Sequence, residues 1–150
     1  MNLPRDWTDL LAAFAAEGVE FVIVGGHAVA FHARPRATKD IDLLLRAGPN
    51  LERAAAALTR FGAPRNVVDA TRSMAEDDIV YLGQPPLRVD LLRRIDGVST
   101  DDVFAHAVIT KWGDAEVRVI ALNDLITNKK ASARPQDVMD VELLERVAKG

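Results

Sequence analysis

Two carboxylates stand one residue apart inside an apolar segment, in "KDIDLLL" at residues 39–45. Side chains of a strand alternate between faces, so Asp40 and Asp42 project to one side while Ile41 and Leu43 project into a core. Their Cα atoms lie about 6.6 to 6.8 Å apart at a rise of ~3.3 to 3.4 Å per residue. At an effective dielectric of ~20, like charges about 7 Å apart repel by roughly 2 kcal/mol. Nothing structural is gained for that cost unless a cation offsets it. Carboxylates so placed suit one or two Mg²⁺ ions, with oxygen ligands at about 2.0 to 2.1 Å. Paired ions about 3.5 to 4 Å apart are a device of phosphoryl transfer. A third carboxylate, Asp90 in "RVDLL", stands between two apolar residues and would join the pair from a neighbouring strand. The plain alternative is a set of solvated strand-edge aspartates.

Fifteen residues before Asp40, Gly25 and Gly26 directly follow an apolar run, "VEFVIV". Glycine lets a ligand approach the backbone, and the helix N-terminus that follows presents unpaired N–H groups to an anion. A Gly-Gly pair can equally be a tight turn alone. Here it lies just ahead of the carboxylates, so a phosphate donor and its metal would meet between them. Arg36 and Thr38 are near enough to contact phosphate, or are a surface arginine and a strand-capping threonine. Lys39 points away from Asp40. His27 and His32, five apart, are poorly spaced to share a metal, and both His27 and His106 read as packed or structural histidines. Trp7 and Trp112 read as core cover.

The elements around these residues follow from periodicity and punctuation. Asp6 reads as the N-cap of a helix carrying Leu10, Leu11 and Phe14 and stopped by Gly18. "VEFVIVGG" is a strand apolar on both faces, "HAVAFHA" a short helix and "DIDLLL" a second strand. Pro49 and Asn50 open an alanine-rich helix closed by Gly62. "DDIVYLG" and "LRVDLLRR" are strands joined through Gln84, Pro85 and Pro86. Ser99 and Thr100 cap a short helix, and "AVITKWGDAEVRVI" is a hairpin turning at Gly113-Asp114. Two helices, "LNDLITNKKASA" and "PQDVMDVELLERVA", finish the chain, with Pro135 at the first turn of the second. The order implies an α/β or α+β fold with a mixed sheet flanked by helices. At 150 residues we expect a single domain, with a core over about 1–120 and C-terminal helices over about 121–148.

Composition sets outer bounds. Hydrophobic content of 49% and charged content of 27% are those of a globular protein, and a net charge of −3 argues against non-specific coating of nucleic acid. Most of the cations are arginine, which suits forked contacts to phosphate or carboxylate. The absence of cysteine excludes disulfides and thiolate metal sites. With no signal-peptide pattern and no apolar stretch near the roughly 18 residues that span a membrane, a cytoplasmic location without membrane contact is expected.

The arrangement Val24-Gly25-Gly26, thirteen residues, then Asp40-Ile41-Asp42-Leu43 resembles the signature of the polymerase beta-like nucleotidyltransferase superfamily. Val89-Asp90-Leu91 matches its third-carboxylate strand. The longer string "GGHAVAFHARPRATKDIDLLL" is similar to small bacterial members, including abortive-infection type toxins and the minimal nucleotidyltransferases of toxin–antitoxin pairs. The match is tight over 20–45, loose at Asp90 and suggestive in the C-terminal helices. The resemblance implies the nucleotidyltransferase fold with a C-terminal helix pair. It implies that Gly25 and Gly26 hold a nucleoside triphosphate (ATP or another NTP). Asp40, Asp42 and Asp90 would be catalytic and bind Mg²⁺ or Mn²⁺, Asp90 also as the base that takes the acceptor's proton. By the same analogy Lys129 reaches the triphosphate, and Arg134 with Asp137 or Asp140 braces the helix pair; Lys130 reads as a solvated helix face.

The reading that follows is a metal-dependent transfer of a nucleotidyl group from an NTP to an acceptor hydroxyl on RNA or protein. Its setting would be a toxin–antitoxin pair, with a cognate partner, or phage defence; antibiotic modification is a third option. Two other classes compete. One is a nucleotidyltransferase-fold binding module with weak catalysis that acts through a protein partner. The other is a sugar transferase using D-x-D, against which the spacing from glycines to aspartates speaks.

Overall fold

A computed structural model of the chain describes residues 5–35 and 38–150. Helix α1 (Arg5–Ala16) leads into β1 (Phe21–Val24), α2 (Gly25–His32) and β2 (Asp40–Leu45). Then come α3 (Pro49–Phe61), α4 (Arg65–Arg72) and the strands β3 (Ile79–Leu82) and β4 (Arg88–Leu92). The chain continues through α5 (Thr100–His106), the hairpin β5 (Val108–Trp112) and β6 (Ala115–Val119), and ends in α6 (Leu122–Ser132) and α7 (Pro135–Lys149). The six strands form one mixed sheet in the order β3-β4-β2-β1-β6-β5. The expected α/β class, mixed sheet and C-terminal helix pair are all present.

Two pairings position what matters. β1 and β2 run antiparallel with Val24 opposite Asp42. β2 and β4 run parallel with Asp40 abreast of Arg88 and Asp42 abreast of Asp90. The pleat buries Ile41, Leu43, Val89 and Leu91, so the intervening aspartates are turned to the opposite face. All four residues of β1 are buried, as befits a strand inside the sheet. A parallel partner for β2 requires a long crossover, and α3 and α4 supply it.

Local differences from the sequence reading have simple causes. Asp6 lies in the first turn of α1 rather than at its N-cap, where its charge still favours the helix dipole. Gly25 and Gly26 belong to α2, not to the strand. Helix α4, between Pro64 and Ser73, had no counterpart in the reading; it buries only Val67, Val68 and Thr71. Ser99 is confirmed as a cap, its hydroxyl accepting from the Asp102 N–H at 3.2 Å.

Asn50 ties the start of α3 to the segment that enters β1. Its Oδ1 accepts from Glu20 N at 2.7 Å, and its Nδ2 donates to the carbonyls of Glu20 and Arg46 at 2.9 Å each. It is buried, so truncation leaves backbone groups unpaired away from water. Asn50→Ala should therefore cost about 2 to 3 kcal/mol in urea unfolding, against less than about 0.5 kcal/mol for an exposed alanine substitution such as Arg53→Ala.

Candidate active site

The register of β2 against β4 brings Asp90 to the Asp40/Asp42 pair, from which it is separated by 48 residues of chain. Asp40, Asp42 and Asp90 each offer an oxygen, and these oxygens all lie within 4.8 Å of one another. An all-oxygen, triply anionic donor set suits a hard divalent cation such as Mg²⁺ or Mn²⁺. Gly25 closes the cluster from the β1 side. It has φ +69°, and a Cβ built there would run into the Asp42 carboxylate, so only glycine lets the backbone come so close.

The electrostatics of the cluster are strained. Burial, followed by the charges of Asp40 and Asp90, pushes the Asp42 carboxyl up to about 7. Lys129 works in the opposite direction. Arg88, which the sequence reading passed over, is the main counter-charge. Its Nη2 donates to Asp40 Oδ2 at 2.8 Å and to Asp90 Oδ2 at 3.1 Å, and its Nε donates to Asp90 Oδ1 at 2.8 Å. These bonds to Asp90 raise the arginine's own pKa. A signal was available, because Arg88 precedes Asp90 by two and so shares its face.

A cleft of about 540 Å³ opens over the triad, lined by Gly25, Gly26, Thr38, Tyr81, Lys129 and Arg134 among others. A second lobe of about 380 Å³ shares Gly25, Asp42, Asp90 and Lys129 and extends to Arg94, Asp96 and Asn128. The expected site residues Gly25, Gly26, Thr38, Asp40, Asp42, Asp90 and Lys129 thus meet at one cleft; Arg36 lies outside the described residues. Lys39 is exposed at the rim of the same cleft.

The supporting side chains are built in from several elements. Thr38 Oγ1 lies 2.5 Å from His27 Nε2. His27 is buried, with its ring edge-on to Trp7 at 4.9 Å and 5.8 Å from Trp112. It is a packed histidine, and both tryptophans are core. His32 and His106 are equally structural, the first on the Ile120 carbonyl and the second on Asp124. Lys130 forms an exposed pair with Glu145.

Lys129 is buried, its Nζ 3.1 Å from Asp137 Oδ1 and 3.4 Å from Asp140 Oδ2, which locks α6 to α7. Arg134 joins the same network through Asp137, its Nε 2.9 Å from Oδ2. Burial alone would raise the Asp137 carboxyl, but the hydrogen bonds from Arg134 and Lys129 outweigh it and hold the group well below the usual range.

A family model for nucleotidyl transferases of unknown function (DUF2204) matches residues 4–150. The chain belongs to that family. Among curated protein sequences none matches this nucleotidyltransferase. Among solved structures it is similar to ANT(2″)-Ia in complex with adenylyl-2″-tobramycin. That likeness has a TM-score of 0.58 and 18% identity, and covers 95% of this chain and 90% of the other. It shows a shared fold. Within the described residues no helix is long and apolar enough to cross a membrane.

Two measurements check this account of the transferase. The folded state holds a proton on Asp42 that the unfolded chain releases near the ordinary value of 3.8. Stability should therefore fall as pH rises from about 4 to about 7, with the penalty complete above that. In EDTA, Asp42→Asn should be the more stable protein at pH 8, by on the order of 1 kcal/mol, and the difference should vanish near pH 4. Separately, Lys129→Met should cost about 3 to 5 kcal/mol in urea unfolding by removing the ammonium that two buried carboxylates share. The triple variant Lys129→Met/Asp137→Asn/Asp140→Asn should recover part of that loss.

Proposed function

We propose that this nucleotidyltransferase moves an NMP group from an NTP, with Mg²⁺ or Mn²⁺, to an acceptor hydroxyl on RNA or protein. The observation that carries the reading is three carboxylates with ligand oxygens within 4.8 Å, set beside Gly25, where any side chain would collide with Asp42. Asp40, Asp42 and Asp90 would hold the metal, which supplies charge stabilisation on the α-phosphate and on the leaving oxygen. Gly25 and Gly26 would present the first N–H groups of α2 to the triphosphate. Arg36, Thr38 and Lys129 are assigned to nucleotide binding.

The chemistry then asks little of the protein beyond alignment. The acceptor oxygen bonds to the α-phosphorus, the bond from that phosphorus to the bridging oxygen breaks, and pyrophosphate leaves. The hydroxyl proton passes to Asp90. With the chain read as one cytoplasmic domain, the setting we favour is a toxin–antitoxin pair or phage defence, with a cognate protein partner.

Purified protein incubated in bacterial lysate with Mg²⁺ and each of four α-labelled NTPs tests this directly. Label should reach a macromolecule with at least one NTP and should fall by about 10³-fold or more in Asp40→Ala/Asp42→Ala. RNase and protease digestion then assign the acceptor. Label that survives the double substitution would overturn the reading, and so would no label with any NTP.

A further inference from the structure

The strand order arranges the cleft along one line. On the cleft face, Val24 at the end of β1 stands opposite Asp42 of β2, Asp42 stands abreast of Asp90 of β4, and Asp90 stands opposite Tyr81 of β3. At about 4.8 Å per strand, three steps separate the glycine turn from Tyr81 by roughly 14 Å. In-line displacement places the attacking oxygen and the leaving pyrophosphate on opposite sides of phosphorus. If Gly25 and Gly26 receive the triphosphate, the acceptor enters from the β3 side.

That side is chemically distinctive. β3 is an edge strand, and alternation buries Val80 and Leu82 while Ile79 and Tyr81 face the cleft with 47% and 52% of their surface exposed. The Arg88 guanidinium lies over the Tyr81 ring, its Cζ 4.9 Å from the centroid. Its bonds to Asp40 and Asp90 fix its orientation. Arg88 thus covers one face of the Tyr81 ring and holds it in place, and the exposed remainder of the ring, with Ile79 two residues away on the same face, offers a surface to a flat ring. The cations of this lobe are largely balanced, Arg88 by Asp40 and Asp90 and Lys129 with Arg134 by Asp137 and Asp140, while Lys39 is exposed at the rim.

We infer that Tyr81, Ile79 and Arg88 form the acceptor subsite, and that the acceptor is an RNA end whose terminal base stacks on Tyr81 and presents its ribose hydroxyl to Asp90. This rests on the nucleotidyltransferase reading above and names the substrate class of that site. Base and hydroxyl belong to one nucleotide, and Tyr81 and Asp90 are in register on neighbouring strands, so one residue of RNA spans both.

The test uses the whole chain with Mg²⁺ and α,β-methylene NTPs, which bind without transferring. Binding of a 5′-fluorescein hexaribonucleotide is followed by polarisation, and NTP binding by calorimetry. Tyr81→Ala should weaken the hexaribonucleotide by about tenfold or more and leave NTP affinity within about twofold. Tyr81→Trp should bind it at least as well as wild type. A tyrosine-containing peptide and tobramycin should compete at least tenfold more weakly than unlabelled hexaribonucleotide. Loss of NTP rather than RNA affinity in Tyr81→Ala would make this the donor-base site and overturn the inference. Equal competition by the peptide or by tobramycin would also overturn it. NTP binding insensitive to Asp40→Ala/Asp42→Ala, or absent from wild type, would bring down the nucleotidyltransferase reading and the inference with it.

Discussion

Everything in this molecule is arranged around the cost of bringing three carboxylates within reach of one another. Like charges at such distances repel by several kcal/mol in a partly buried site, and the one local offset, Arg88 on Asp90, covers only part of that. The parallel pairing of β2 with β4 enforces it, because a slip of one residue would turn the aspartates into the core and Ile41, Leu43, Val89 and Leu91 out to water. Hydrophobic burial of those four side chains therefore fixes the electrostatic problem in place. The proton held by Asp42 and the fork of Arg88 are the protein's own partial answers.

The C-terminal helices answer it from above. Lys129 brings a positive charge to the triad's side of the cleft, yet a lone buried ammonium would itself be costly. Asp137 and Asp140 on α7 neutralise it, and Arg134 shares Asp137 at the start of that helix. A structural ion network and the wall of the cleft are thus one object. Of the charges that hold the α6–α7 pair, Lys129 also acts on Asp42, against the larger effects of burial, Asp40 and Asp90.

What was legible in the sequence was whatever local spacing determines. D-x-D in an apolar strand, glycines after another strand and the alternation around Asp90 each specify a face, so the triad and the glycine turn could be read directly. Arg88 was as close in sequence to Asp90 as Asp40 is to Asp42, but a cation two residues from an anion is ordinary on a surface. Only the pairing of β2 with β4 shows that it reaches Asp40 as well. Helix α4 escaped for the opposite reason. It presents only three buried side chains among charged neighbours, and its helicity is secured by packing against α3. Tyr81 and Ile79 read simply as strand residues, since nothing local says that β3 is an edge and that its outer face borders the cleft.

The edge position of β3 has a physical consequence of its own. An exposed edge strand carrying large apolar side chains invites pairing with other chains, a hazard that proteins limit by keeping such strands short or charged. β3 is four residues long, follows the acidic stretch Glu76-Asp77-Asp78 and carries its two exposed apolar residues on the face that α6 and α7 overhang through Lys129 and Arg134. On β3 the exposure of large apolar side chains is confined to the cleft face. A residue kept apolar and uncovered there, beside the most polar cluster of the fold, is best explained by what binds to it.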